Sequence, residues 1–541
     1  MESTPEKLRW PDRWLIATIA IACCVMGLSI YRAATQSITH DESITYVKFI
    51  APHGGNLFGY TANNHILHTW MVKGAILCFG TSELVVRTPA LAGAALYLAA
   101  LVMLALRIAR SGPWLLVVVA LGSLNPLVMD FLACARGYSL ALAFLMWAVF
   151  FLIQCIEEDG WTGRFFRSCA MASLFLGLCI GANLSFLFGA AGVGAVSLLM
   201  VLVRRVPKSV AVDVSGGSER RRPSGVATAT RWIAAACCLA APGLCTVAAL
   251  YVPYLGVIHR EEFYAGHSAL SGTGRDLIYH QFFYRQTGMG SEPFVADSKP
   301  LSNWLAGVAL LTLLGAVAAV ALVLLVRWIR QGRCGSSPRA RALLLLCASA
   351  CLAAGATFLV HVTLNVRYPV ERTALYFIPL VTLGLTLGVV EAGRRHRWVS
   401  PLVMAMCLLV VLRFVTSLNV AYFRIWKYDA DSRAVFGKIQ EIGGRTNGTI
   451  HVGGCWFYKP SMNFYRVARH YDRMLPYTAK VARPVTDYDL LVLNQRMAQD
   501  LNVGKLGFVP VFHGRLSGVV LYANPKLVAG AGDGVRPDVN K

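Results

Sequence analysis

"WLIATIAIACCVMGLSIYRAATQSITHDESITY", residues 14–46, runs from a stretch without charge into an acidic pair. A helix that crosses a bilayer needs roughly 20 mostly apolar residues. The stretch 14–31 meets that need and reads as a first membrane span. His40, Asp41 and Glu42 follow a few residues beyond its end. The polar start "MESTPEKLRWPDRW" and the lack of an A-x-A type cleavage site make this a retained span rather than a signal peptide.

The pattern recurs along the chain. Apolar windows at 83–106, 114–131, 138–156, 168–182, 186–203, 232–254, 303–326, 342–360, 374–391 and 398–418 bring the expected spans to about eleven. Composition agrees: of 541 residues, 56% are hydrophobic and 15% charged, whereas a soluble domain carries about 25% charged residues. The fold class expected is mainly α, a polytopic membrane helical bundle. The 51 Lys and Arg against 28 Asp and Glu give a net charge of +23. No RNP, zinc-finger or helix-turn-helix pattern accompanies it, so no nucleic-acid partner is expected. Basic residues that hold cytoplasmic loops in place account for the excess. Most of the 15 Cys fall inside apolar runs, where Cys packs as a small hydrophobe, and none has metal-site spacing.

Loop charge sets the orientation. Lys7, Arg9 and Arg13, then Arg107 and Arg110, Arg164 and Arg167, the 204–222 loop, Arg327 to Arg341, and Arg394 to Arg397 fall on one side if the spans are counted correctly. That side is cytoplasmic by the positive-inside rule. Opposite loops mix signs, as in Glu261, Glu262, Arg275, Asp276 and Arg285. The N-terminus is then cytoplasmic in a plasma (inner) membrane, and the loop 32–82 and the C-terminal region lie outside. "HILHTWMVKGAILCF", 65–79, is too short to span and is expected to lie in the outer interface. Ile44, Val47 and Ile50 share one helical face ahead of it. Residues 1–418 thus read as the membrane domain. Residues 419–541 read as a small outer α/β domain with a disordered tail, carried by "SRAVFGKIQEI", "GTIHVGG", "DLLVLN" and "GVVLYAN".

Charges at the outer rim are the candidates for chemistry. Asp41 and Glu42 suit a solvated acidic loop, a helix N-terminus, a cation site or a general base near the membrane plane. In "NPLVMDFLACARGYS", Asp130 and Arg136 flank one turn, as an ion pair or as parts of the Asp41 cavity. Arg367 and Arg372 in "RYPVERTALYF", and Arg87 in "SELVVRTPALAG", stand outside against the charge bias. They suit headgroups, a Glu371 pair or a bound phosphate. His65 and His68 lie at i and i+3, a weak metal signal without a third ligand.

Together "THDESITY", "ANNHILHTWMVKGAILCFGTSELVVRTPALAG", "DFLACARGYSLALAF" and "RYPVERTALYFIPL" resemble the C-type superfamily of membrane glycosyltransferases. The branch they resemble contains protein O-mannosyltransferases and lipid A aminoarabinose transferase, and the resemblance covers about 1–420. It implies an inverting transfer from a polyprenyl-phosphate-linked sugar to a hydroxyl acceptor of the cell envelope. It implies Asp41 as base with Glu42 beside it, and Arg372, Arg136, Arg367 and Arg87 as phosphate-binding residues. His40, Asn64, His65, Asp130 and Tyr138 are the residues it suggests against substrate. Where relatives read H-P-P or K-P-P, this chain reads Asn63-Asn64-His65-Ile66. Some distant members hold a divalent metal between loop carboxylates, here Asp41 and Asp130, and no other cofactor is implied. The rival readings are a transporter or flippase for lipid-linked sugars and a non-catalytic assembly partner. Intramembrane acidic residues would favour the transporter, and the spans hold almost none in their centres.

Overall fold

The computed structural model describes residues 13–52, 55–61, 63–109, 112–158, 160–202, 225–257, 266–274 and 338–530, apart from 394–395, 447 and 480–483, with only scattered positions between 277 and 337. The expected span 303–326, most of the 204–222 loop, Lys7, Arg9, Arg110, Arg394, Arg395, Glu261, Glu262, Arg275, Asp276, Arg285, Arg327, Arg330, Arg333 and the tail beyond 530 lie outside the described residues.

The chain is a polytopic helical bundle. Its helices are α1 (Arg13–Thr35), α2 (His40–Thr45), α3 (Ile66–Phe79), α4 (Glu83–Ala109), α5 (Pro113–Ser123) and α6 (Pro126–Ala133). There follow α7 (Tyr138–Glu157), α8 (Gly163–Ala182), α9 (Leu187–Leu202), α10 (Gly225–Tyr251), α11 (Pro338–Leu364), α12 (Phe377–Gly393) and α13 (Val399–Thr416). Among the described residues, 8 helices are long and apolar enough to cross a membrane, or 9 if α5 and α6 count as one. At 14 and 17 residues, α3 and α12 are shorter apolar helices. The expected single span at 114–131 is bent by 66° between α5 and α6. The cause is local. Pro126 offers no N–H and holds Asn125 out of the helical region, at ψ 122°, while the Asn125 side chain accepts from Leu127 N and Val128 N and starts α6 afresh. The short expected pair at 168–182 and 186–203 forms as α8 and α9. They are joined by a 3-10 turn whose Asn183 side chain accepts from the Ser185 amide and hydroxyl.

At the centre lies α7, buried along nearly its whole length against α4 and α8. Gly137 allows the turn before it to pack closely, because a Cβ there would overlap the Ala182 carbonyl oxygen. The turn 134–137 is therefore pinned between α6 and the end of α8.

Beyond α13 the chain forms a sheet of five strands, order β2-β1-β3-β5-β4. Its strands are β1 (Val452–Gly454), β2 (Thr478–Ala479), β3 (Leu490–Asn494), β4 (Val509–His513) and β5 (Val519–Ala523). β1 pairs parallel with β2 and β3, and β5 runs antiparallel to β3 and β4. The helices α14 (Ser432–Gly444) and α15 (Lys459–Ala468) pack on it. The strands expected at β1, β3 and β5 form. β4 carries Pro510 and an irregular register, both tolerated because it is an edge strand. The expected boundary at 418/419 is not a gap in packing. Val435, Phe436, Ile439, Phe464 and Tyr465 share one core with Ile38, Tyr46, Phe49, Ile50, Val72, Val86 and Ala135.

Candidate active site

The site grows from the cap of α2. The Thr39 hydroxyl accepts from the Glu42 amide, and the Glu42 carboxylate accepts from the Thr39 amide at 2.8 Å, a reciprocal capping box. Glu42 Oε1 also accepts from Ala135 N, which ties α2 to the turn before α7. Arg87 of α4 closes the arrangement. Its Nε and Nη2 donate to the two Glu42 oxygens at 2.9 and 2.7 Å, and its remaining N–H groups reach the carbonyls of Ala33, Gln36 and Ser37. All five donors are used, and both side chains are fully buried. Glu42 and Arg87 thus form a clasp that fixes the α1–α2 connection, and neither offers a free group to a ligand.

Asp41, one residue earlier, has a different environment. Its Oδ2 lies 3.1 Å from Arg372 Nη2 and 3.8 Å from Arg136 Nη2, and Trp426 donates a further hydrogen bond. Arg136 reaches the Asp41 carbonyl, the Thr45 hydroxyl and both oxygens of Asn63, while its buried Nε has no partner among the described residues. Arg372 also binds Tyr138, approaches Glu371 at 3.6 Å and stacks over Trp426 at 5.4 Å. Its side chain stays 25% exposed. Burial raises the Asp41 pKa, but the charges of Arg136, Arg372 and His40 and the Trp426 hydrogen bond outweigh it, and the carboxyl lies below its usual range.

The other predicted residues divide. His65 is buried edge-on to Tyr138 at 5.3 Å, and its Nε2 has no partner among the described residues. Burial, with the charges of Arg136, His68 and Arg372, lowers its pKa well below the ordinary value, so the ring is neutral. His68 is buried with neither ring nitrogen partnered among the described residues, and burial with the Arg136 charge pushes it down to about 3. Asn64 is occupied locally by Gly59 O and Thr69. His40 Nδ1 meets Phe457 O at 2.8 Å, and its ring borders Tyr428 and Trp456.

Asp130 is not paired with Arg136. Its Oδ1 binds Arg32 Nη2 at 2.5 Å and its Oδ2 accepts from Arg424 N at 2.9 Å. Both oxygens are thereby committed, and Asp41 is already compensated by two guanidiniums. No cluster of three His, Cys, Asp or Glu suited to a metal occurs among the described residues. Arg367 is exposed beside the His267–Tyr368 bridge, with no hydrogen bond to the Asp41 cluster among the described residues.

Solved structures similar to this chain are known. ArnT from Cupriavidus metallidurans in the apo state is 12% identical, with 96% of this chain and 99% of that chain covered and a TM-score of 0.49. ArnT bound to undecaprenyl phosphate is 12% identical, with 95% and 98% covered and a TM-score of 0.48. The apo Archaeoglobus fulgidus oligosaccharyltransferase is 13% identical, with 94% of this chain and 74% of that chain covered and a TM-score of 0.40. No protein-family profile matches the sequence, and no curated protein does.

Several residues around Asp41 were not anticipated from sequence. Arg32 ends the first span and anchors Asp130, the Met129 carbonyl and the Tyr422 carbonyl. Asn63, rather than Asn64, meets Arg136. Trp426, Tyr428 and Asp429 arrive from the segment after α13. The signal was present in "RIWKYDAD", an aromatic and charged cluster directly after an apolar helix. Asp429 accepts from His40 N at 2.6 Å, Ser461 Oγ at 2.6 Å and Ser432 Oγ at 3.2 Å, binding α2 to α14 and α15.

Proposed function

We propose that this chain is an inverting glycosyltransferase. It moves a sugar from a polyprenyl-phosphate donor to a hydroxyl acceptor at the outer face of the membrane. The observation that carries the reading is the buried Asp41 carboxylate held 3.1 Å from the Arg372 guanidinium and 3.8 Å from that of Arg136. The carboxylate that would act as base and the two guanidiniums that would bind phosphate thus lie together just past the end of the first membrane span. The sequence resemblance supports the same assignment.

In this mechanism the donor phosphate draws Arg372 away from Asp41. Losing that partner raises the basicity of Asp41 when substrate is present. The acceptor hydroxyl gives its proton to the Asp41 carboxylate, and its oxygen forms a bond to the anomeric carbon from the face opposite the phosphate. The anomeric C–O bond to phosphate breaks with its electron pair, and polyprenyl phosphate departs. Arg372 and the Arg136 Nε, which has no partner among the described residues, stabilise the charge that develops on the leaving oxygen. Glu42 and Arg87 are positioning residues. His65, as a neutral ring, and the Tyr138 hydroxyl would offer hydrogen bonds to the sugar.

The test is incubation of the purified protein in lipid nanodiscs with a panel of radiolabelled polyprenyl-phosphate sugars and cell-envelope acceptors. Transfer from one donor, with inversion at the anomeric carbon, supports the reading. Donor movement across a vesicle bilayer without cleavage would replace it by the transporter reading.

A further inference from the structure

Four rings from three separate segments meet beside Asp41. His40, the residue before it, lies edge-on to Trp456 at 5.7 Å and to Tyr428 at 6.1 Å. Phe457 packs against Trp456 at 3.9 Å and against Tyr428 at 5.4 Å. The group is braced from below. His40 is fixed by the Phe457 carbonyl and by Asp429, and Cys455 N, at the base of the turn Trp456–Tyr458, donates to Val492 O of β3. Yet Trp456 is 52% exposed. A large indole held rigidly and left half open is a ready-made flat surface.

The neighbourhood indicates what covers it. Asp41 needs an acceptor hydroxyl, and two members of the ring group, His40 and Tyr428, lie close enough to that carboxylate to feel its charge. The other large apolar residues exposed in the described part of 432–530 are Leu475, Leu506 and Leu516, at 36%, 40% and 37%. None belongs to this ring cluster. A lipid-inserting surface would gather aliphatic side chains around the indole. Here its neighbours are His, Tyr and Phe rings, with Lys459 exposed next to the turn. Aromatic faces beside polar groups suit a pyranose ring, whose C–H face packs on the rings while its hydroxyls reach the imidazole and the phenol.

We infer that Trp456, with His40 and Tyr428, forms a subsite for a sugar ring of the acceptor, so that the acceptor is a carbohydrate. The inference rests on the proposed transferase reading and deepens it. The His40 side of the platform places the acceptor sugar next to the Asp41 carboxylate, and the C-terminal sheet supplies Trp456 as its far wall.

The test is equilibrium binding of tritium-labelled, water-soluble oligosaccharides released from cell envelopes to the full chain in nanodiscs. The native protein binds these oligosaccharides. Trp456→Ala binds about tenfold more weakly, and Trp456→Phe retains most of the affinity. No binding by the native protein, or equal binding by Trp456→Ala, overturns the inference. So does quenching by bromine-labelled lipids that disappears in Trp456→Phe, since it would place the indole among acyl chains. Normal turnover by Asp41→Asn alongside the expected binding series would instead defeat the transferase mechanism and leave the subsite standing.

Discussion

Two carboxylates one residue apart meet opposite fates here. Glu42 receives a fully committed arginine, and Asp41 receives one that is partly exposed. The difference predicts different mutant behaviour. Arg87→Lys cannot reproduce five fixed donors and leaves Glu42 and three carbonyls short of partners. Breaking such a buried pair costs about 3–5 kcal/mol, so this variant should show a large fall in thermal midpoint in nanodiscs, with activity and folded protein lost together. Arg372→Lys keeps the charge but not the planar fork. It should fold normally and lose donor affinity about tenfold, roughly 1.4 kcal/mol, measured by binding of a labelled polyprenyl-phosphate sugar. A loss of fold in Arg372→Lys, or unchanged donor binding, would contradict the division of roles.

The elements set the position of these side chains through two turns. The Asn125–Pro126 break lets α6 lean away from α5 and bring Asp130 to Arg32. The Gly137 turn then presents Arg136 to Asp41 and Asn63. Gly137→Ala places a methyl group on the Ala182 carbonyl. Overpacking of this kind costs about 1–3 kcal/mol, and because the turn carries Arg136, donor affinity should fall alongside the thermal midpoint. An unchanged midpoint would mean that the turn has room to shift. The apolar windows made most helices legible, since hydrophobic length is the signal that a membrane imposes. The α5–α6 bend was less legible, because periodicity across 114–131 does not register one proline after one asparagine. The Thr39–Glu42 box was written in the sequence as T-x-x-E, yet composition alone could not tell which acid of the pair would be locked in an ion pair with Arg87. That choice is made by Arg87, 45 residues away from Glu42.

Across the whole molecule, the C-terminal sheet and its helices share a core with the membrane helices beside α2 rather than standing apart. Arg433 at the start of α14 binds Glu83 at 2.8 Å and the carbonyls of Ala34 and Gln36, and Asp429 holds the N-terminus of α2. Sequence reading placed a boundary at 418/419 because composition changes there. The tertiary return of 422–429 onto α1, α2 and α6 leaves no local signature beyond its aromatic residues. This junction titrates. Burial, helped by the nearby Asp41 charge, pushes the Asp429 carboxyl up to about 8 against hydrogen bonds from Ser461, His40 and Ser432. Tyr428, Tyr458 and Cys455 are titratable groups that also feel its charge. The folded chain therefore holds a proton there that the unfolded chain releases near the ordinary value of 3.8. The stabilisation is complete below about pH 4 and is lost as pH rises toward 8. Asp429→Asn, which mimics the protonated acid, should flatten the fall in thermal midpoint over that range. An equal slope in both proteins would exclude Asp429 as its source.

The central claim, that Asp41 takes the acceptor's proton beside a guanidinium-bound phosphate, is tested most directly by single-turnover transfer with Asp41→Asn. The chain in nanodiscs is loaded with labelled polyprenyl-phosphate sugar and mixed with acceptor. The account predicts donor binding within about twofold of the native chain and transfer slowed by about 10²–10⁴, the usual contribution of a positioned general base. Transfer at the native rate by Asp41→Asn would contradict it.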